Sequence, residues 1–130
     1  MIPVELARLI ISERSEDQVI YLRQLGSPRE FPIVIGSFEA FAIDRLVREE
    51  VSERPLTHDL LAGAIAQLGG RVTRCVVDDI KGGTFYAKVV LASDAGEVML
   101  DARPSDAITL ALKVQAPLYV SEKVMRNAAS

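Results

Sequence analysis

Leu100-Asp-Ala-Arg-Pro-Ser-Asp-Ala-Ile-Thr-Leu-Ala111 is the stretch in which the chain changes period. Glu97 to Leu100, leading into it, is half apolar and alternates as a strand does, whereas the residues after it are apolar at helical spacing. The stretch therefore reads as strand, turn, helix. Pro104 has no N–H to lose and suits a first helical position, and Ser105 and Asp106 suit the unpaired N–H groups of a first turn. From Ala107 onward only Thr109, Lys113 and Gln115 are polar, so this helix is expected to be mostly buried.

Working outward, Arg71 to Ile80 alternates on one register, Gly82-Gly83 turns it back into Thr84 to Ala92, and Ser93-Asp-Ala-Gly96 turns that into Glu97 to Asp101. This is a three-strand meander ahead of the junction helix. After the helix, Pro117-Leu-Tyr-Val120 reads as a short last strand parallel to a neighbour, and Ser121 to Ser130 as a polar tail with a frayed helical turn or two. At the other end, Ile2 to Ser12 and Gln18 to Gln24 form a hairpin around the charged turn Glu13 to Asp17. Phe31 to Ile35 is a third short strand, which Pro32 places at an edge or bend. Ser37 is expected to cap a helix whose apolar face is Phe38, Phe41, Ala42, Leu46 and Val47. Thr57 is expected to cap a second, with Leu60, Leu61, Ala64, Ile65 and Leu68 on one face and Gly69-Gly70 as its stop. The order βββααβββαβ indicates an α+β domain with a mixed, mostly antiparallel sheet and helices packed on it. One domain is expected over 1–130, with its core in about residues 2–120.

The 130 residues carry 15 Lys and Arg against 18 Asp and Glu, a formal net charge of −3. That argues mildly against a broad basic nucleic-acid footprint, although a cleft acting on phosphodiesters needs only a local one. Mean hydropathy is +0.21 and 49% of residues are hydrophobic, high for a chain of this size, so part of the apolar surface is expected to be covered by another subunit, most simply in a homodimer. The strand Phe31 to Ile35, with little polar protection, is where cover is needed, either from the chain's own helices or across a two-fold axis. Cys75 is alone, no run approaches membrane length, and no signal-type apolar segment follows Met1, which together read as a cytoplasmic protein.

Asp101-Ala-Arg-Pro-Ser-Asp-Ala-Ile108, with Arg54-Pro-Leu-Thr-His-Asp-Leu-Leu61 and Thr84-Phe-Tyr-Ala87, resembles the bifunctional nuclease domain family, and the likeness runs from the first strand to Val120. The resemblance implies a nuclease that hydrolyses phosphodiester bonds of both DNA and RNA. Within that reading Asp101 and Asp106 would hold a divalent ion, Mg or Mn, Arg103 would hold the scissile phosphate, and His58 would act as base.

Each of these residues has a second reading. Asp106 could serve only the helix dipole, with Arg103 pinning the turn by pairing with Asp101 or Asp106. His58, the single histidine, could be a helix-start residue bonded to a neighbour. Glu39 suits a first helical turn, Asp78 and Asp79 a solvated turn, and Cys75 a buried position; Phe85 and Tyr86 point to opposite faces, with packing the simplest role for both. HExxH, paired CxxC, GxxxxGK[ST], a Gly-rich dinucleotide loop and GxSxG are all absent, which disfavours zinc hydrolase, phosphate-loop and serine-esterase chemistry. The rival to an enzyme is a regulatory or scaffold domain that oligomerises, its motifs holding fold and dimer together.

Overall fold

The computed structural model describes residues 1–14 and 16–128, so the part of the charged turn at Ser15 and the end of the tail at 129–130 lie outside the described residues. The elements run β1 (Ile2–Ile10), β2 (Asp17–Gln24), β3 (Glu30–Gly36), α1 (Ser37–Val47), α2 (Thr57–Gln67), β4 (Arg71–Lys81), β5 (Thr84–Ser93), β6 (Gly96–Ala102), α3 (Pro104–Val114), β7 (Leu118–Val120) and α4 (Glu122–Ala128). This is the expected order with α4 added. The strands form one sheet, β3-β2-β1-β7-β4-β5-β6, in which only the β4–β7 pair is parallel. The crossover through α3 drops β7 between the two antiparallel meanders and joins them.

The sheet curls strongly. Phe31 of β3 stacks on Phe85 of β5, ring centroids 5.8 Å apart, although four strands lie between them in the sheet order. The inward residues of the first meander (Ile20, Leu22, Phe31, Ile33) and of the second (Cys75, Val77, Ala87, Val89) therefore face one shared interior. Helix α3 fills it with Ala107, Ile108, Leu110 and Ala111, and its Thr109 is buried because the hydroxyl donates to the Ser105 carbonyl at 2.6 Å. Each fully buried aliphatic side chain here is worth about 1.5–3 kcal/mol.

Several local expectations are corrected. Ser37 does not cap α1: the cap position is Gly36, and the Ser37 hydroxyl donates to the Glu16 carbonyl instead. Thr57 does not cap α2 either; Asp59 accepts the Leu56 N–H at 3.0 Å and fills that role. The buried face of α1 is Ala40 and Ile43, leaving Phe38 and Phe41 exposed, and α2 has no fully buried residue at all. The polar tail is no frayed end: α4 lays Val124 and Met125 into the core with no exposed surface, so the core extends past residue 120. Asp78 and Asp79 are not simply solvated, since one Asp78 oxygen is buried and Asp79 pairs with Lys123 of α4 at 2.6 Å. Strand β3 is an edge as Pro32 requires, but its inner face is covered by the chain's own helices.

Candidate active site

The first turn of α3 sets the site. Arg103 ends the extended segment at the helix cap position, Pro104 and Ser105 start the helix, and Asp106 stands in its first turn. No side chain bonds the free N–H groups there, so Asp106 is not occupied as a cap. Both its oxygens instead go to side chains: Oδ1 lies 3.0 Å from His58 Nε2 and Oδ2 accepts Arg103 Nε at 3.0 Å. The contact joins the starts of α2 and α3, 48 residues apart in sequence.

Charges explain the protonation at this hub. Burial pushes the Asp106 carboxyl up, but the hydrogen bonds and charges of Arg103 and His58 outweigh it and hold the group below the usual carboxylate range. The hydrogen bond and charge of Asp106 in turn raise Arg103. An ionised carboxylate can only accept, so His58 Nε2 carries its hydrogen toward Asp106; in the neutral imidazole the proton acceptor is then Nδ1, which makes no hydrogen bond among the described residues. The imidazole is mostly buried, at the end of a hollow of about 270 Å³ that Leu61, Leu100 and Leu110 also line, while the Arg103 side chain is 65% exposed.

Of the residues expected to converge, Asp101 lines the same hollow as His58 and Asp106, but its carboxylate does not join theirs. It is still part of β6, where alternation sends its carboxylate to Lys88 of β5 at 3.4 Å, and it is 82% exposed. Asp106, Arg103 and His58 do come together. Glu39 joins them, its Oε1 3.6 Å from Arg103 on the side away from Asp106. Nothing local announces that contact; it exists because α1 leaves β3 toward α3. Gly36 makes room for it, since a Cβ there would lie 2.8 Å from Glu39 Oε1. Asp59, beside His58 in sequence, is spent on structure: the Leu56 N–H lowers its pKa first, and Arg45 of α1 and Lys113 of α3 add to that against burial.

A buried imidazole oriented by a carboxylate, with an exposed guanidinium on the same carboxylate, equips the junction for proton transfer beside a bound anion. A family model described as the bifunctional nuclease domain matches residues 20–130, and the chain belongs to that family. An uncharacterized protein of Mycobacterium tuberculosis (strain H37Rv) is 35% identical over 125 residues, 96% of this chain and 74% of its own length. Bifunctional nuclease 1 of Oryza sativa subsp. japonica is 23% identical over 105 residues, covering 78% of this chain and 32% of the rice protein; Bifunctional nuclease of Oryza minuta matches to the same extent.

Proposed function

We propose that the protein is a nuclease hydrolysing phosphodiester bonds of DNA and RNA, with its chemistry at the α3 junction. The observation that carries the reading is that one carboxylate, Asp106, holds both His58 and Arg103 by its two oxygens. DNA lacks the 2′-hydroxyl that could act as an internal nucleophile, so water is the nucleophile proposed for both substrates. Nδ1 of His58 takes the proton of that water as its oxygen bonds phosphorus, Arg103 offsets the charge gathering on the phosphoryl oxygens, and the leaving oxygen takes a proton from solvent as its P–O bond breaks. Glu39 holds the guanidinium from the other side.

The expected divalent ion does not fit these residues. Asp106 has both oxygens engaged, Asp101 turns to Lys88, and no group of three His, Cys, Asp or Glu side chains among the described residues converges on one point. No step is therefore routed through a metal.

The experiment is hydrolysis of single-stranded DNA and RNA by highly purified protein, with and without chelator, beside folded His58→Ala and Asp106→Asn variants. Loss of activity in both variants supports the reading. Full activity in either one sinks it.

A regulatory or scaffold role is the second reading, and the specific observation favouring it is the exposed apolar surface of α1, α2 and β6 on a chain of net charge −3. Among the described residues no helix is long and apolar enough to cross a membrane.

A further inference from the structure

Strand β6 closes one end of the sheet order, and no strand among the described residues pairs with its outer edge. Val98, Met99 and Leu100 are 54%, 59% and 42% exposed, so the strand is bare on both faces as well as along its edge. Val98 and Leu100 face helix α2. Between that helix and the strand runs a trough made of two hollows that share Ile65: an apolar one with Leu68 and Val98, and the hollow of the candidate site, where Leu61 and Leu100 stand beside His58, Asp101 and Asp106. Leu61 and Leu68 are themselves 40% and 87% exposed.

We propose that this trough and edge form an interface with a second copy of the chain, β6 pairing antiparallel with β6 of the copy across a two-fold axis. An open sheet edge beside an apolar groove seats an extended strand whose alternate side chains enter the groove. β6 is itself such a strand: Val98 and Leu100 are apolar on the α2 side, and the same pair from the copy would meet Leu61 and Leu68. A two-fold axis satisfies both edges at once, because an isologous contact uses the same patch twice.

Charge agrees with this occupant. Exposed edges are ordinarily guarded by unpaired charge, but the two acids of β6 are already paired within the sheet, Glu97 with Arg74 at 3.7 Å and Asp101 with Lys88 at 3.4 Å. Each end of the strand thus brings an acid together with its own cation to the partner. The area suits a small interface. At about 60–120 Å² of apolar surface per large aliphatic side chain, Leu61, Leu68, Val98 and Leu100 in their observed exposure supply on the order of 200 Å² per protomer, Met99 on the other face of the strand adds to it, and specific interfaces at the low end bury under about 1,200 Å² in total.

The opposite edge behaves differently. β3 faces Gly83, Thr84 and Phe85 across a cleft within the same molecule, and Phe31 stacks on Phe85. It serves as the internal control.

The test is light scattering coupled to size exclusion from low to high micromolar protein, for the full chain and the variants Val98→Lys, Leu68→Lys and Val34→Lys, each checked for folding by circular dichroism. All three positions are more than half exposed, so a lysine there is accommodated in a monomer. The expected mass is twice the 14.2 kDa of one chain. Val98→Lys and Leu68→Lys should each weaken the dimer by at least about tenfold in Kd, the size of one lost interface anchor, and Val34→Lys on β3 should leave it unchanged. A wild-type mass of one chain throughout overturns the proposal. So does a dimer indifferent to both Val98→Lys and Leu68→Lys, or one broken by Val34→Lys.

Discussion

Replacing Leu110 by Ala should cost about 3 kcal/mol of folding stability. Leu110 is 1% exposed on the face of α3 turned into the curled sheet. The substitution removes three carbon atoms, about 2 kcal/mol of transfer free energy at ~0.8 kcal/mol per methylene. The void adds its own cost of roughly 24 cal/mol per Å³. Collapse around it is limited on one side by the sheet and on the other by the hollow of about 270 Å³ that already borders Leu110, so the new space joins an existing one. That places the loss in the middle of the usual ~2–5 kcal/mol for such changes. The chain has no Trp, so urea unfolding is best followed by far-ultraviolet circular dichroism. With a urea slope of ~1–3 kcal/mol per molar the midpoint should fall by about 1–3 M at unchanged slope. A loss below about half a kcal/mol would show that the side chain does not pack as described, and that α3 is not the centre of the core.

Three more outcomes follow from particular residues. Because the Asp106 carboxyl is held below its ordinary value, its contribution is present above the usual carboxylate pKa of about 4 and is lost as pH falls through the lower folded value; Asp106→Asn should flatten the acid limb of a stability profile, and an unchanged limb would refute the pairing. Burial pushes the Cys75 thiol up to about 12 from 9.0, so the native protein should resist a thiol reagent at mildly alkaline pH until denaturant is added, and stability should fall between those two values as the unfolded thiol ionises; rapid native labelling would contradict this. Gly36→Ala should displace the Glu39 carboxylate from Arg103 while costing no more than about 1 kcal/mol, because only the tip of a flexible side chain must move and a partly exposed ion pair is worth little; a crystal structure of the variant with the pair intact would refute it.

The junction was readable because its signals are local. Proline at the helix start, alternation before it and helical spacing after it all act within a dozen residues, and α3 is buried as the sequence indicates. Asp101 and Asp106 look equivalent in the sequence, five positions apart. They separate because one still obeys strand alternation and points to Lys88, whereas the other is in a helix that turns it to His58. The faces of α1 and α2 were misjudged for a related reason. Both helices carry more than one apolar arc, and only the direction in which the chain leaves β3 selects Ala40 and Ile43 over Phe38 and Phe41 for burial. Val124 and Met125 are adjacent in a mostly polar seven-residue segment and set up no period, so the docking of α4 through them is not legible in the sequence. The Asp106–His58 and Arg103–Glu39 contacts span 48 and 64 positions, a distance that no motif spacing reports.

Asp106 is proposed to make the α3 junction a hydrolytic site by holding His58 and Arg103 together. This is tested most directly by the rate at which purified, folded Asp106→Asn cleaves single-stranded DNA and RNA relative to the wild type. A drop of about 10²–10⁴-fold is expected on both substrates, the usual yield of a positioned base. Equal rates for the two proteins would contradict it.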